Sequence, residues 1–202
     1  RGNANVLLRA GIAFIGYDDG SVVSLRIDDG SVVWNQTVVS PEGRTELDRL
    51  SDVGTQMVIV ASDLIVSSYK SRLVSLAADS GRLLWFKDVS SASGVVVDRT
   101  KLAVSEKNDD LWMLDRRNGS TVWKVDHMSN RGLTRPAFYG NYVVVGDSEG
   151  YLHWLDSDIG SFVARVRAGK DGFAAAPLTV GTTLYVLTRK GKLVAYRAGA
   201  AI

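Results

Sequence analysis

The chain contains no cysteine. That excludes a disulfide framework, a thiolate metal site and a cysteine nucleophile. Its only two histidines, His127 and His153, are too few for most zinc sites, and neither stands in a Ser and Asp order that would build a catalytic triad. Both read as isolated surface or packing residues. No uninterrupted apolar run in the sequence approaches the ~20 residues of a membrane-spanning helix. The net charge is only +2, and Lys and Arg are not interleaved with aromatics along one strand face, so nucleic acid is not an expected partner. No P-loop and no G-x-G-x-x-G fingerprint is present. Asp18-Asp19-Gly20 and Asp28-Asp29-Gly30 lack the further ligands of a calcium loop, and no metal or cofactor site is expected.

The small charge is unevenly spread. Residues 160–202 hold seven basic side chains (Arg165, Arg167, Lys170, Arg189, Lys190, Lys192 and Arg197) against one acid, Asp171. The basic end reads first as a solvated surface, with an acidic partner or lipid headgroups as the functional alternative. The chain begins at Arg1, without Met, signal peptide or lipidation cysteine. We expect it to be a fragment or processed form of something longer.

What the sequence does have is a repeat. Gly30-Ser-Val-Val-Trp34, Gly81-Arg-Leu-Leu-Trp85 and Gly119-Ser-Thr-Val-Trp123 align, and Gly160-Ser-Phe-Val-Ala164 is a fourth copy without its tryptophan. Leu25, Leu76, Leu114 and Leu155 stand five residues before each glycine and end short alternating runs. A fifth run, Lys192–Tyr196, closes the series. Apolar strands precede these runs at Ile12–Gly16, Leu64–Ser68, Lys101–Ser105, Tyr142–Gly146 and Thr183–Thr188. Inner strands are expected near Asn5–Leu8, Gln56–Val60, Gly94–Val97, Pro136–Tyr139 and Ala176–Val180.

Turns rich in Gly, Asp, Asn and Ser join them, and Val, Ile, Leu and Thr fill the strands. No long 3.6-residue apolar period occurs, so helix content should be near zero. Four strands in ~40 residues read as a β-propeller blade. The expectation is one all-β domain over 1–202, a partial ring of about four and a half four-stranded antiparallel blades. The blades span 1–40, 54–90, 92–127, 132–168 and 172–198, the last with three strands.

Blades stack face to face, and a large ring on each outer strand can lock the spacing. Trp34, Trp85 and Trp123, in one register, are therefore read as blade-docking residues. Trp112 and Trp154 lie off that register and are read as packing. Gly146-Asp-Ser-Glu-Gly150 matches the G-x-S-x-G nucleophile pattern as a bare string. That elbow needs a strand-to-helix turn, whereas here it joins two strands in the register of Gly16–Gly20. It is read as a hairpin turn, and no catalytic residue is assigned.

One spacing is anomalous. Between Trp34 and Trp85 the repeat is lengthened by residues 40–53, which contain Glu46, Leu47, Asp48, Arg49, Leu50 and Asp52. A long loop on a regular scaffold is a functional candidate, and alternating charges around leucines suit a protein partner. A merely decorative insertion is the alternative.

The Leu-x-x-x-x-Gly-x-x-x-Trp pattern resembles the pyrroloquinoline-quinone-type propeller repeat. Quinoprotein dehydrogenases with this repeat hold the cofactor and calcium at the ring axis; non-enzymatic relatives keep the blades alone. With no adjacent-cysteine pair and no obvious metal-carboxylate cluster, the chain looks like the second kind. Thr45-Glu-Leu-Asp-Arg-Leu-Ser-Asp-Val53 and Val144-Val-Gly-Asp-Ser-Glu-Gly-Tyr-Leu-His-Trp154 further resemble the BamB family. These are eight-bladed outer-membrane lipoproteins of the Gram-negative β-barrel assembly machinery, of which this chain would be the C-terminal half and a little more.

The resemblance implies a non-enzymatic scaffold at the periplasmic face of the outer membrane. It would bind the POTRA domains of BamA, meet other subunits indirectly, and meet unfolded outer-membrane proteins. Membrane attachment would run only through an N-terminal lipid anchor outside this chain. The family's contact Arg precedes a Gly, as Arg1 does, and Asp52 matches the first of its two loop aspartates. Gly54 stands at the second, so either the acidic contact is weaker here or Asp48 or Glu46 shares it. A quinoprotein or quinone-sensing fragment is the alternative from another class. A generic propeller binding unfolded clients through exposed edges is the third reading.

Overall fold

The computed structural model describes residues 6–17, 19–38, 53–68 and 72–197. Among these residues there is no helix, and nineteen strands follow one another. The first sheet is β1 (Leu7–Arg9), β2 (Ile12–Gly16), β3 (Ser21–Arg26) and β4 (Val32–Thr37). The second is β5 (Val53–Val60), β6 (Asp63–Ser68), β7 (Leu73–Ala77) and β8 (Leu83–Lys87). The third is β9 (Ser91–Val97), β10 (Lys101–Glu106), β11 (Leu111–Asp115) and β12 (Thr121–Val125). The fourth is β13 (Ala137–Tyr139), β14 (Tyr142–Gly146), β15 (Tyr151–Asp156) and β16 (Phe162–Arg167). The fifth has only β17 (Leu178–Val180), β18 (Thr183–Leu187) and β19 (Leu193–Tyr196).

Every sheet is a meander in chain order, the form of a propeller blade, and the set amounts to four and a half blades. The chain divides into two compact units. One is Arg1–Ala92 with Arg117–Gly119; the other is Ser93–Arg116 with Ser120–Ile202.

Middle strands are buried on both faces, which is why they read as nearly continuous apolar runs. Leu73–Leu76, Leu102–Ser105, Val143–Gly146 and Leu152–Leu155 are all buried. In the first unit Phe14, Val22, Leu64, Val74 and Leu76 pack around Trp34. In the second, Leu111, Met113, Val143 and Leu155 gather about Trp123, and Leu152, Phe173, Leu184 and Val186 about Trp154. Each such side chain contributes about 1.5–3 kcal/mol on burial.

The third and fourth strands of each complete blade share one irregularity. The register shifts between Ser24 and Leu25, Ser75 and Leu76, Met113 and Leu114, and Trp154 and Leu155. The repeat leucine thus marks a bulge that adds twist before the glycine turn.

Several boundaries differ from the sequence reading, for local reasons. β5 begins at Val53, not near Gln56, so the second blade starts one residue before 54; a register shift between Val53 and Gln56 absorbs Gly54 inside the strand. β9 begins at Ser91, so the third blade starts before 92, and Gly94 is an interior kink at φ 103° rather than a strand start. β13 and β17 begin just after Pro136 and Pro177, whose missing N–H cannot join a ladder. β1 runs on to Arg9, which pairs with Ile12 across the tight Ala10-Gly11 turn, both residues at positive φ.

Candidate partner-binding surface

Arg1, Glu46, Leu47, Asp48, Arg49, Leu50 and Asp52 all lie outside the described residues. The stems of the loop are described. Val38, just after β4, donates its N–H to the Gly20 carbonyl at 2.8 Å, and at the other end Val53 pairs with Ser68. The loop therefore leaves the first blade beside the β2–β3 turn.

Directly below that exit lies a groove of about 170 Å³ between the outer strands, lined by Thr37, Val38, Arg72, Leu83 and Phe86 among others. Arg72 lies with its guanidinium 4.8 Å from the Phe86 ring centroid and pairs with Asp88 at 2.8 Å. Phe86 and Leu83 are half exposed. An apolar floor with one cation beside it suits a protein partner more than a small polar ligand.

The three repeat tryptophans have one geometry. Trp34 donates from Nε1 to the Ala78 carbonyl at 3.0 Å, and its ring lies against Gly81. The Trp85 ring lies against Gly119, and Trp123 against Gly160, with Trp123 Nε1 bonded to the Ser157 carbonyl at 3.1 Å. Each ring thus sits on the glycine of the following repeat. A Cβ on Gly81 or Gly119 would fall 2.7 or 2.5 Å from ring carbons. Gly30 has the same positive φ and open space above it.

The fourth blade handles its missing tryptophan in a way the repeat alignment did not reveal. Trp34 stands opposite Ser24, Trp85 opposite Ser75 and Trp123 opposite Met113, whereas Ala164 stands opposite Trp154. The ring has moved one strand inward. It meets Tyr139, Tyr142 and Tyr196 edge-on, at centroid distances of 5.3, 6.2 and 6.5 Å. Its buried Nε1 has no hydrogen-bond partner among the described residues. Trp112, half buried on β11, donates to Glu106 Oε2 at 2.8 Å.

His153 is not the isolated residue that the sequence suggested. Its Nε2 lies 2.8 Å from Oδ2 of Asp147, whose side chain is wholly buried. Arg131 Nη1 donates to the same oxygen at 2.9 Å, and the N–H groups of Tyr151 and Glu149 donate to Oδ1 at 2.9 and 3.0 Å. Burial alone would raise this carboxyl; the donors from His153, Tyr151 and Arg131 outweigh it and hold it below the usual carboxylate range. Asp109 pins the same connection by accepting from the N–H groups of Gly132 and Leu133, both at 2.8 Å. The cluster clamps a connection. Gly146–Gly150 is a hairpin turn between β14 and β15, with Ser148 N–H bonded to the Arg131 carbonyl. Three residues spread from 131 to 153 carry no motif; only the folded sheet, with Asp147 and His153 buried and Arg131 partly exposed beside them, reveals the link.

A quinone with calcium needs converging polar and carboxylate groups. The groove along inner strands β1 and β5 is lined instead by Leu7, Leu8, Met57, Val58 and Ile59 beside Arg9. Among the described residues no three His, Asp or Glu side chains gather as metal ligands. The inner strands of this unit do not fit that cofactor.

Comparison with known proteins agrees with this geometry. A family model described as outer membrane protein assembly factor BamB matches residues 1–125 and 117–201. The outer membrane protein assembly factor BamB of Xanthomonas campestris pv. campestris is 39% identical over 197 residues, 98% of this chain and 48% of that protein. The chain thus spans about half the length of this curated relative. The crystal structure of BamB from Moraxella catarrhalis superposes with a TM-score of 0.85 at 27% identity, covering 98% of this chain and 59% of that one. A quinohemoprotein alcohol dehydrogenase from Comamonas testosteroni, at 13% identity and a TM-score of 0.65, covers 98% of this chain and 43% of its own, and shares the fold alone. A blade repeat built on Trp-to-Gly contacts, a lengthened loop after the first blade and these matches together make this chain a member of the outer membrane protein assembly factor BamB family.

Proposed function

We propose that the chain is a non-catalytic scaffold of the β-barrel assembly machinery. It works at the periplasmic face of the outer membrane, where the full-length protein is lipid-anchored, and aids insertion of β-barrel proteins. Its partner is the periplasmic POTRA region of BamA, engaged by Arg1 and by Glu46, Leu47, Asp48, Arg49, Leu50 and Asp52. The observation that carries the reading is identity to a named assembly factor along nearly the whole chain. The groove beneath the loop exit supports it, with its apolar floor and its Arg72.

The physics of such a contact divides the work. Arg–carboxylate pairs across the interface fix orientation more than they add affinity. Leu47 and Leu50 supply the apolar anchor. Gly54 replaces the acidic residue of the family motif, which shifts weight to Asp52 and its neighbours.

Calorimetric titration of the chain with isolated POTRA domains tests this. Saturable binding that Asp52→Arg abolishes, with circular dichroism unchanged, is the expected result. Binding indifferent to Asp52→Arg and to Leu50→Ala would remove the loop from the interface and point to general capture by exposed edges.

A further inference from the structure

The outer strand of the fourth blade differs from its three counterparts. In β4, β8 and β12 a tryptophan is buried, at 8, 8 and 9% exposure. In β16 all six residues are exposed. β16 is also the last strand of its sheet.

The ladder sets which of its backbone groups are free. Ala168 N–H donates to the Gly150 carbonyl at 2.9 Å. Alternation from that pair makes Val166–Leu152 and Ala164–Trp154 the bonded pairs. The N–H and C=O groups of Arg165 and Arg167 therefore point out of the sheet, two residues apart.

The side chains of those same residues are prepared as well. The Arg165 guanidinium lies 3.7 Å from the centroid of the Tyr151 ring, and that of Arg167 lies 4.9 Å from it. Arg167 Nε also donates to the Gly169 carbonyl at 3.1 Å. Among the described residues neither arginine has a carboxylate partner. Two cations are thus held on one aromatic ring without compensation, beside an open strand edge.

We propose that the β16 edge receives an extended acidic segment of another polypeptide as an added strand. Its backbone would bond to Arg165 and Arg167, and carboxylates two residues apart would face the two guanidinium groups. The same arginines reject a second copy of β16, since antiparallel self-pairing sets cation against cation. A lipid headgroup would satisfy the guanidinium groups and leave the backbone edge unused, so the strand partner is favoured. This contact lies in the second unit and does not depend on the 40–53 loop.

The probe is a fluorescein-labelled peptide, Thr-Glu-Val-Glu-Val-Glu-Thr, titrated with the chain and followed by anisotropy at low salt. Controls are the lysine analogue, and an equally acidic peptide with proline in place of each valine. Saturable binding of the first peptide alone is expected, weakened at least about tenfold by Arg165→Gln with Arg167→Gln. Arg189→Gln with Lys190→Gln, at the β18–β19 turn, should leave it unchanged. Hydrogen exchange at the Arg165 and Arg167 amides should slow when the peptide is present. Equal binding of the proline peptide, or insensitivity to the paired arginine change, overturns the proposal. So does binding to phosphatidylglycerol vesicles that the arginine change abolishes, when the peptide itself does not bind.

Discussion

In the first blade the large ring stands on the outer strand, at Trp34, with Ser24 opposite; in the fourth it stands on the third strand, at Trp154, with Ala164 opposite. The pair keeps one large and one small side chain, but exchanges their strands. The consequences differ. Trp34 reaches past its own sheet to the Ala78 carbonyl and the face of Gly81. Trp154 stays among tyrosines and, among the described residues, finds no partner for its N–H. Filling the volume is therefore a separate task from tying one blade to the next. The fourth blade performs the first and gives up the second.

The turns differ in parallel. In the first blade exposed Asp19 accepts from Ser21 N–H and Oγ at 2.9 and 2.6 Å. In the fourth, buried Asp147 holds the turn and also the incoming connection through Arg131.

The strongest way to break the tie between blades is Gly119→Val. Its Cβ would meet Trp85 at 2.5 Å from a φ of 69°, and the cost should be about 4 kcal/mol from overpacking and left-handed strain. A fall in the urea midpoint at constant slope would register it, and an unshifted midpoint would mean the ring is free to move.

Asp147→Asn comes next, at about 3 kcal/mol, because it leaves Arg131 and His153 facing a neutral group. The folded carboxyl lies below its unfolded value of 3.8. Its contribution is thus complete above that pH and is lost as pH falls through the lower folded value. Wild type should show this acid-side loss of stability and Asp147→Asn a smaller one; parallel pH curves would detach the residue from it.

Gly81→Ala against Gly30→Ala isolates the ring from the backbone, since the two glycines sit at φ 69° and 70° and only Gly81 carries a tryptophan. About 1 kcal/mol is expected for Gly30→Ala and roughly twice to three times that for Gly81→Ala. Equal losses in thermal melts would show that conformation alone matters.

The finest comparison is Trp34→Phe against Trp154→Phe. The first strips a donor from the Ala78 carbonyl and should cost about 1–2 kcal/mol more than the second, which removes an unpaired N–H. Equal midpoints would erase the distinction between tying and filling.

Blade number, strand order and the tryptophan register were legible in the sequence because period-two alternation and fixed glycine spacing are local signals. Strand starts at Val53 and Ser91 were not, since Gly54 and Gly94 look like breaks until a bulge or kink accommodates them. The exchange of Trp154 for a ring at 164 was hidden because it appears only when two strands are set in register. The His153–Asp147–Arg131 clamp was hidden because burial, not spacing, gives those residues to one another. The loop from 40 to 53 stands out in the sequence by its length and its alternating charges, and residues 39–52 lie outside the described residues.

The direction of the ring contacts sets a timetable for the chain as it emerges. Each docked tryptophan rests on a glycine belonging to the following repeat, never the preceding one. A blade can pair its own four strands as soon as they are available, yet its ring has no seat until the next glycine turn arrives. Trp34 waits for Gly81, Trp85 for Gly119, and Trp123 for Gly160. Domains emerge N-terminus first during synthesis, so each of the first three blades gains its lock only when the next repeat has been delivered.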